Sequence, residues 1–284
     1  MDVRHLVLTN FNERDFKVTY YGLDQNPNLD MKKRPLILVF PGGSFNHLAQ
    51  REGEPVALAY VDHGFNAAVV SYNLTTDPGD IYPDAGLSGL RAIQYFRQNA
   101  ERLGIDPEKI ITIGFSAGGH VVSVINMMAE SEKCQKAFKF KHDEVAPNAT
   151  ILGYPLIDFT KIGFKLNSSE EKEVDHEEEK EFLNTANGVT SQTPPTFIFQ
   201  AYDDPTVLID NSLEYMMALR KHNVQFEAHI FDKGGHGFSL ARPELAIKER
   251  PWIVNPHTAH WFKLSLEWLE HLKFIPSYYE NEKE

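Results

Sequence analysis

Apolar residues in this chain follow two kinds of pattern that alternate along its length. Short continuous runs, rich in β-branched residues, occur at Leu36-Ile37-Leu38-Val39-Phe40, Ala67-Ala68-Val69-Val70, Ile110-Ile111-Thr112-Ile113, Thr150-Ile151-Leu152, Thr196-Phe197-Ile198-Phe199 and from Phe226 to Phe231. Runs of this kind read as strands buried on both faces. Between them the apolar positions recur every three or four residues. Leu87, Leu90, Ile93, Phe96, Ala100 and Leu103 form one stripe across 84–103, and 211–222 and 258–273 carry others, the last with Trp261, Leu264, Trp268 and Leu272. Each stripe predicts a helix with one face on a core. Alternation of strand and helix requires crossover connections, so the expected fold is α/β: a mostly parallel, twisted sheet of about eight strands with helices on both faces. His5 to Thr9 and Phe16 to Tyr21 predict an antiparallel hairpin at one edge.

One stretch departs from this rhythm. Residues 158–193 form a polar insertion whose centre, SSEEKEVDHEEEKEF at 168–182, holds eight acids against two lysines. A solvated helix or loop accounts for such a charge run; the edge of a small lid is the functional alternative. No linker or internal repeat divides the rest, so 1–284 is expected to be a single domain.

Composition narrows the function classes. The net charge of −12 argues against nucleic acid and anionic membrane surfaces, and no apolar run is long enough for a membrane span. With one cysteine, Cys134, there is no intrachain disulfide and no thiolate metal site, and no HExxH-like signature is present. The N-terminus lacks the apolar core of a secretion signal, which implies a cytoplasmic setting.

The candidate chemistry centres on GFSAGGH, residues 114–120, which follows a buried strand and opens the apolar, helix-compatible stretch VVSVINMMAE. Gly-x-Ser-x-Gly arises by chance in roughly one such chain in twenty, but its placement between strand and helix makes it specific. Ser116 is the candidate nucleophile, lifted above the sheet by a strained turn whose flanking glycines leave room for its neighbours. No Gly-Lys-Ser/Thr accompanies it, which disfavours a phosphate-binding loop.

A nucleophilic serine needs donors for the oxyanion, a base and an orienting acid. The amide of Ala117 comes with the turn. VFPGGSF, residues 39–45, supplies a second loop whose glycines let backbone amides turn inward. Of the twelve histidines, His236 lies on a Gly-rich loop, DKGGHGFSL, after the last predicted strand. His229 sits within a strand, and His257 and His260 start the C-terminal helix. His120 is expected to pack or hydrogen-bond at the start of the helix after Ser116. The acid belongs at the end of the preceding strand, where AYDDPTV offers Asp203 and Asp204 side by side. Successive residues leaving a strand point to opposite sides, so one of the two is expected to face His236.

Taken together, PGGSF, YPDAGLSGLRAI, IDPEKIITIGFSAGGH, TPPTFIFQAYDDPTV and GGHGFSL resemble the α/β-hydrolase superfamily, in particular small bacterial esterases related to hormone-sensitive lipase and to acetyl-xylan and feruloyl esterases. The resemblance runs from about Pro35 to Phe274. It implies an α/β-hydrolase fold and places the acid of an Asp-x-x-Val pattern at Asp204, with Ser116 and His236 completing the triad. It assigns the oxyanion donors to Gly43, Ser44 and Ala117. Pro41 stands where such esterases open the loop with His, and Ser88 where their long helix often carries Asp. The implied function is a serine carboxylesterase acting on short acyl groups, acetyl to butyryl, in small-molecule esters, with no cofactor and no metal. Deacetylation of xylan or another carbohydrate ester is the nearest alternative. A prolyl-oligopeptidase-like peptidase would need a further gating domain, and a non-catalytic hydrolase-fold binding protein would lack a triad member. Assembly into a homo-oligomer, dimer or tetramer, stays open.

Overall fold

The computed structural model describes residues 1–25, 28, 31–163 and 180–276. Among them, eight strands form one sheet in the order β1-β2-β4-β3-β5-β6-β7-β8. The strands are β1 Asp2–Thr9, β2 Asp15–Gly22, β3 Arg34–Phe40, β4 Asn66–Ser71, β5 Ile105–Phe115, β6 Ala149–Gly153, β7 Thr196–Ala201 and β8 Phe226–Phe231. β1 pairs antiparallel with β2, and β2 antiparallel with β4; every other pairing is parallel. The edge hairpin and the mostly parallel sheet are as the apolar pattern predicts.

The side-chain alternation of each central strand feeds two cores. Leu36, Leu38 and Phe40 of β3 join Leu87, Ile93, Val121 and Ile125 on one face of the sheet. Ile37 and Val39 join Ile111, Ile113, Phe197, Phe199, Trp261 and Trp268 on the other. That is why these strands read as unbroken apolar runs: neither face meets water. Helices α2 (Asp84–Gln98) and α3 (Ala117–Glu130) cover the first face, while α1 (Glu54–Asp62) and α5 (His260–His271) cover the second, with α4 (Asp210–Lys221) beside β7. Trp261 of α5 stacks on Phe199 at a centroid distance of 4.1 Å, which ties the C-terminal helix to the strand that carries the Asp203–Asp204 pair.

Two expectations shift. The stripe at 84–103 is not one helix: α2 ends at Gln98, where Asn99 turns its side-chain amide back onto the Tyr95 carbonyl (2.8 Å), and a separate turn follows at Ala100–Leu103. Asn competes for local backbone groups, and the apolar spacing alone does not register this. β5 also begins earlier than its apolar run, at Ile105, with an irregularity in its pairing to β3 between Arg34 and Leu36.

The acidic run at 168–182 falls almost wholly outside the described residues, and so does any lid built from it. The described ends of the insertion are anchored by bridges between Asp158 and Asn184 and between Ile162 and Val207.

Candidate active site

β5 runs straight into Ser116, whose backbone sits at φ 51°, ψ −119°, and α3 starts at the next residue. The positive φ is strained for a residue with a Cβ. It is held on three sides: the Ser116 amide donates to the Gly153 carbonyl (3.0 Å), and the Ser116 carbonyl accepts from the amides of His120 and Leu156 (both 3.1 Å). The flanking glycines are needed for contact reasons. A Cβ on Gly114 would lie 2.3 Å from the Gly118 carbonyl oxygen, and one on Gly118 would lie 2.1 Å from the Phe40 oxygen. Both obstacles are backbone and cannot rotate away.

His236 lies on the loop after β8, between Gly235 (φ 59°) and Gly237 (φ 76°). Its Nε2 is 2.9 Å from Ser116 Oγ and its Nδ1 is 2.7 Å from Asp204 Oδ2. Asp204 is buried, and its Oδ1 accepts the amides of Thr206 (2.9 Å) and Val207 (3.0 Å). The Asp-x-x-Val spacing therefore has a physical content: the residue three positions on closes a turn around one carboxylate oxygen and leaves the other for the imidazole. The neighbouring Asp203 faces elsewhere. Its Oδ1 accepts the amides of Gly234 and Gly235 (both 2.9 Å), so it shapes the loop that carries His236.

The loop after β3 turns sharply, with positive φ at Gly43 (130°), Ser44 (52°) and Phe45 (60°). A Cβ on Gly43 would lie 2.0 Å from the His47 carbonyl oxygen, so this position requires glycine. Among the described residues the amides of Gly43, Ser44 and Ala117 have no hydrogen-bond acceptor. Gly42 differs from the expectation that both glycines turn their amides toward the reacting centre. Its N–H donates to a side chain, Glu52 Oε2 (2.8 Å). Pro41 contributes its carbonyl, which accepts the Tyr72 hydroxyl (2.7 Å). Ser88, buried in α2, donates to Asn73 (2.7 Å) and accepts from Asn10 (3.2 Å).

Gly43, Ser44, Ser116 and His236 all open onto one cleft of about 1300 Å³, bounded on one side by Arg250, Trp252 and Asn255. Trp252 is half exposed and lies against Gly235, beside the histidine. Aromatic rings gather beside this loop. Phe45 stacks on Phe159 (5.8 Å between centroids), and both contact the His120 ring. Among the described residues there is no cluster of His, Cys, Asp and Glu arranged for a metal, and no helix is long and apolar enough to cross a membrane.

His120 is fully buried one turn into α3, with Nδ1 2.6 Å from the Tyr82 hydroxyl. Burial pulls its pKa down from 6.5 to about 3, outweighing the opposing influence of the Phe182 backbone, which does not reach hydrogen-bonding geometry with the buried Nε2. The unfolded chain takes up a proton here below pH 6.5 that the folded chain refuses. The contribution to stability is thus complete above pH 6.5 and is lost as pH falls toward 3, by about 1.4 kcal/mol per unit. Urea unfolding at pH 7 and pH 5 should show His120→Gln losing about 2 kcal/mol less than wild type across that interval. Equal acid sensitivity of the two proteins would assign the effect to another group.

Two residues that contact this site carry no sequence signal of their own. Glu52 is one acid among forty. Tyr154 is placed here by strand register: Phe115 pairs with Gly153, so the residue after β6 lies level with the residue after β5, which is Ser116. Its ring packs edge-on against His236 at 5.1 Å.

A serine turn after the fifth strand, with an acid and a histidine after the seventh and eighth, defines an α/β-hydrolase, and the sheet order agrees. Solved structures with that fold superpose closely. The carboxylesterase Cest-2923 from Lactobacillus plantarum WCFS1 shares 30% identity at a TM-score of 0.90, covering 98% of this chain and 100% of that one. The chain belongs to the BD-FAE family, whose model matches residues 25–219. It is also similar to an acetyl ester-xyloside bifunctional hydrolase from Caldicellulosiruptor lactoaceticus (32% identity, TM-score 0.72, 92% of this chain and 89% of that one). Among curated relatives it is 31% identical to endo-1,4-beta-xylanase B of Butyrivibrio fibrisolvens over 82% of this chain, and 29% identical to an acetylxylan esterase of Xylanibacter ruminicola over 72%. The chain spans only 38% and 41% of the length of those two relatives.

Proposed function

We propose that this chain is a serine carboxylesterase in which Ser116 is the nucleophile, His236 the general base and Asp204 the orienting acid. The observation that carries the reading is the unbroken Asp204–His236–Ser116 hydrogen-bond chain beside amides without acceptors. In this mechanism Ser116 Oγ attacks the ester carbonyl as His236 Nε2 takes its proton. The amides of Gly43, Ser44 and Ala117 stabilise the negative oxygen of the tetrahedral intermediate. Collapse breaks the bond to the alcohol oxygen, which leaves with the proton from His236. Water then attacks the acyl-enzyme with His236 again as base, releasing the carboxylic acid and restoring Ser116. Asp204, which receives two backbone amides on its other oxygen, holds the imidazole in one tautomer and stabilises its charged form.

The preference for short acyl groups is carried over from the resemblance to small esterases; beside the oxyanion loop stands an aromatic cluster of Phe45, Phe159 and His120. A second reading is favoured by the cleft itself. A cleft of about 1300 Å³ far exceeds an acetyl or butyryl group, and its half-exposed Trp252 stands among polar side chains such as Arg250 and Asn255. That combination suits a carbohydrate as the alcohol part of the ester, and one similar protein is named an acetylxylan esterase. An acyl series of p-nitrophenyl esters from acetate to decanoate, run beside acetylated xylo-oligosaccharides, tests both readings. We expect kcat/KM to be highest from acetate to butyrate and to fall at least tenfold by decanoate. A series that rises with chain length would remove the short-acyl preference. Acetate release from the oligosaccharide at a kcat/KM above that for p-nitrophenyl acetate would select the carbohydrate reading. No turnover of any ester would end both.

A further inference from the structure

Glu52 is 2% exposed, yet it carries a carboxylate and lies outside the triad. It ends a 3-10 turn, Gln50–Glu52, between the oxyanion loop and α1. A buried carboxylate without good partners is strongly unfavourable, so the groups that reach it are informative. Oε2 receives the Gly42 amide at 2.8 Å, and Oε1 receives the Tyr154 hydroxyl at 2.7 Å. The Tyr154 oxygen in turn accepts the amide of Ser239, three residues beyond His236, at 3.0 Å. Burial, and then the charge of Glu52, hold the Tyr154 hydroxyl well above the usual tyrosine range, so it stays protonated and donates. Arg51 adds a second grip on the same loop. Its guanidinium donates to the Gly237 carbonyl (2.7 Å), and its own carbonyl accepts the Ser239 hydroxyl (2.6 Å).

One short turn thus holds two otherwise separate loops. The oxyanion loop is seated so tightly on Glu52 that a Cβ on Gly42 would lie 2.8 Å from its Oε2 and 3.0 Å from the Ser116 Cβ. Fixing the Gly42 peptide on the carboxylate sets the direction from which the next two amides, Gly43 and Ser44, leave it. At its other oxygen the same carboxylate fixes Tyr154, whose ring packs on His236. We infer that Glu52 is a positioning residue that couples the oxyanion loop to the histidine loop, setting donors and base in register with one buried carboxylate. The inference rests on the esterase reading above.

Three proteins test it: wild type, Glu52→Gln and Tyr154→Phe, with active sites counted by an organophosphate titrant so that only competent enzyme is scored. Glu52→Gln keeps the shape but can no longer accept at both oxygens. We expect its kcat on p-nitrophenyl acetate to fall about 10- to 100-fold with KM changed less than about threefold. Affinity for a trifluoromethyl ketone, which forms a charged tetrahedral adduct with the serine, should weaken by the same factor. Tyr154→Phe leaves the Gly42 contact intact and should lower kcat about tenfold. Because both variants break one chain, the double variant should lose much less than the product of the two. A loss confined to stability or to the titrated fraction, with kcat per site and ketone affinity unchanged, would overturn the inference while leaving the esterase reading intact. So would strict multiplication of the two effects. A wild type that turns over no ester would instead remove the reading on which the inference stands.

Discussion

Ser116→Ala should reduce ester hydrolysis by about 10⁶-fold in kcat while the protein keeps its fold. The substitution removes the attacking oxygen and nothing else that the turn depends on. Its strained backbone is held by the carbonyl of Gly153 and the amides of His120 and Leu156, all of which bond to main-chain atoms of residue 116. His236→Ala should cost nearly as much, because the serine hydroxyl is a poor nucleophile without a base at its proton. The residual rate in either variant, about 10³–10⁴ over water, would come from the oxyanion amides and binding. The measurement is p-nitrophenyl acetate turnover, with circular dichroism to verify folding. Wild-type rates from Ser116→Ala would end the nucleophile assignment and require another group in the cleft.

The adjacent aspartates should separate just as clearly. Asp204→Asn is expected to lower kcat by about 10⁴-fold. An amide nitrogen presented to His236 Nδ1 would drive the imidazole proton onto Nε2, where Ser116 Oγ needs an acceptor. Asp203→Asn should cost less than about tenfold, since an amide oxygen can still accept the Gly234 and Gly235 amides that its Oδ1 now receives. The outcome that reverses these roles is a large loss at 203 with activity kept at 204. Both variants are nearly isosteric, so a difference between them reports chemistry at one carboxylate.

The asymmetry of that pair shows how far a linear reading goes. Alternation along a strand predicts that only one of two neighbouring aspartates can face the histidine, and the structure turns Asp204 toward it. The strands were legible for a simple reason: β3, β6, β7 and the second half of β5, from Ile110, are buried on both faces, so their sequences are mostly apolar. The serine turn was legible because its glycines are demanded by backbone contacts that no other residue satisfies. Glu52 was not legible. Its significance comes from contacts to Gly42 and Tyr154, 10 and 102 residues away, and a lone acid in a polar stretch has no pattern that reports such partners. The break at Asn99 was hidden likewise, because apolar spacing records which face is buried and is silent on hydrogen bonds along the axis.

The glycines of the serine turn have a consequence beyond catalysis. Gly114 and Gly118 rest against main-chain oxygens, and Gly43 does the same at the mouth of the cleft, so the parts that hold the reacting atoms have no slack to vary. The wall formed by Arg250, Trp252 and Asn255 belongs to the segment between β8 and α5, which carries 3-10 turns and no strand of the sheet. On the esterase reading, selection acting on such a molecule can therefore revise which alcohol it accepts while inheriting the acyl chemistry unchanged. The frame is conservative, and the region between His236 and α5 is where new specificities can be tried.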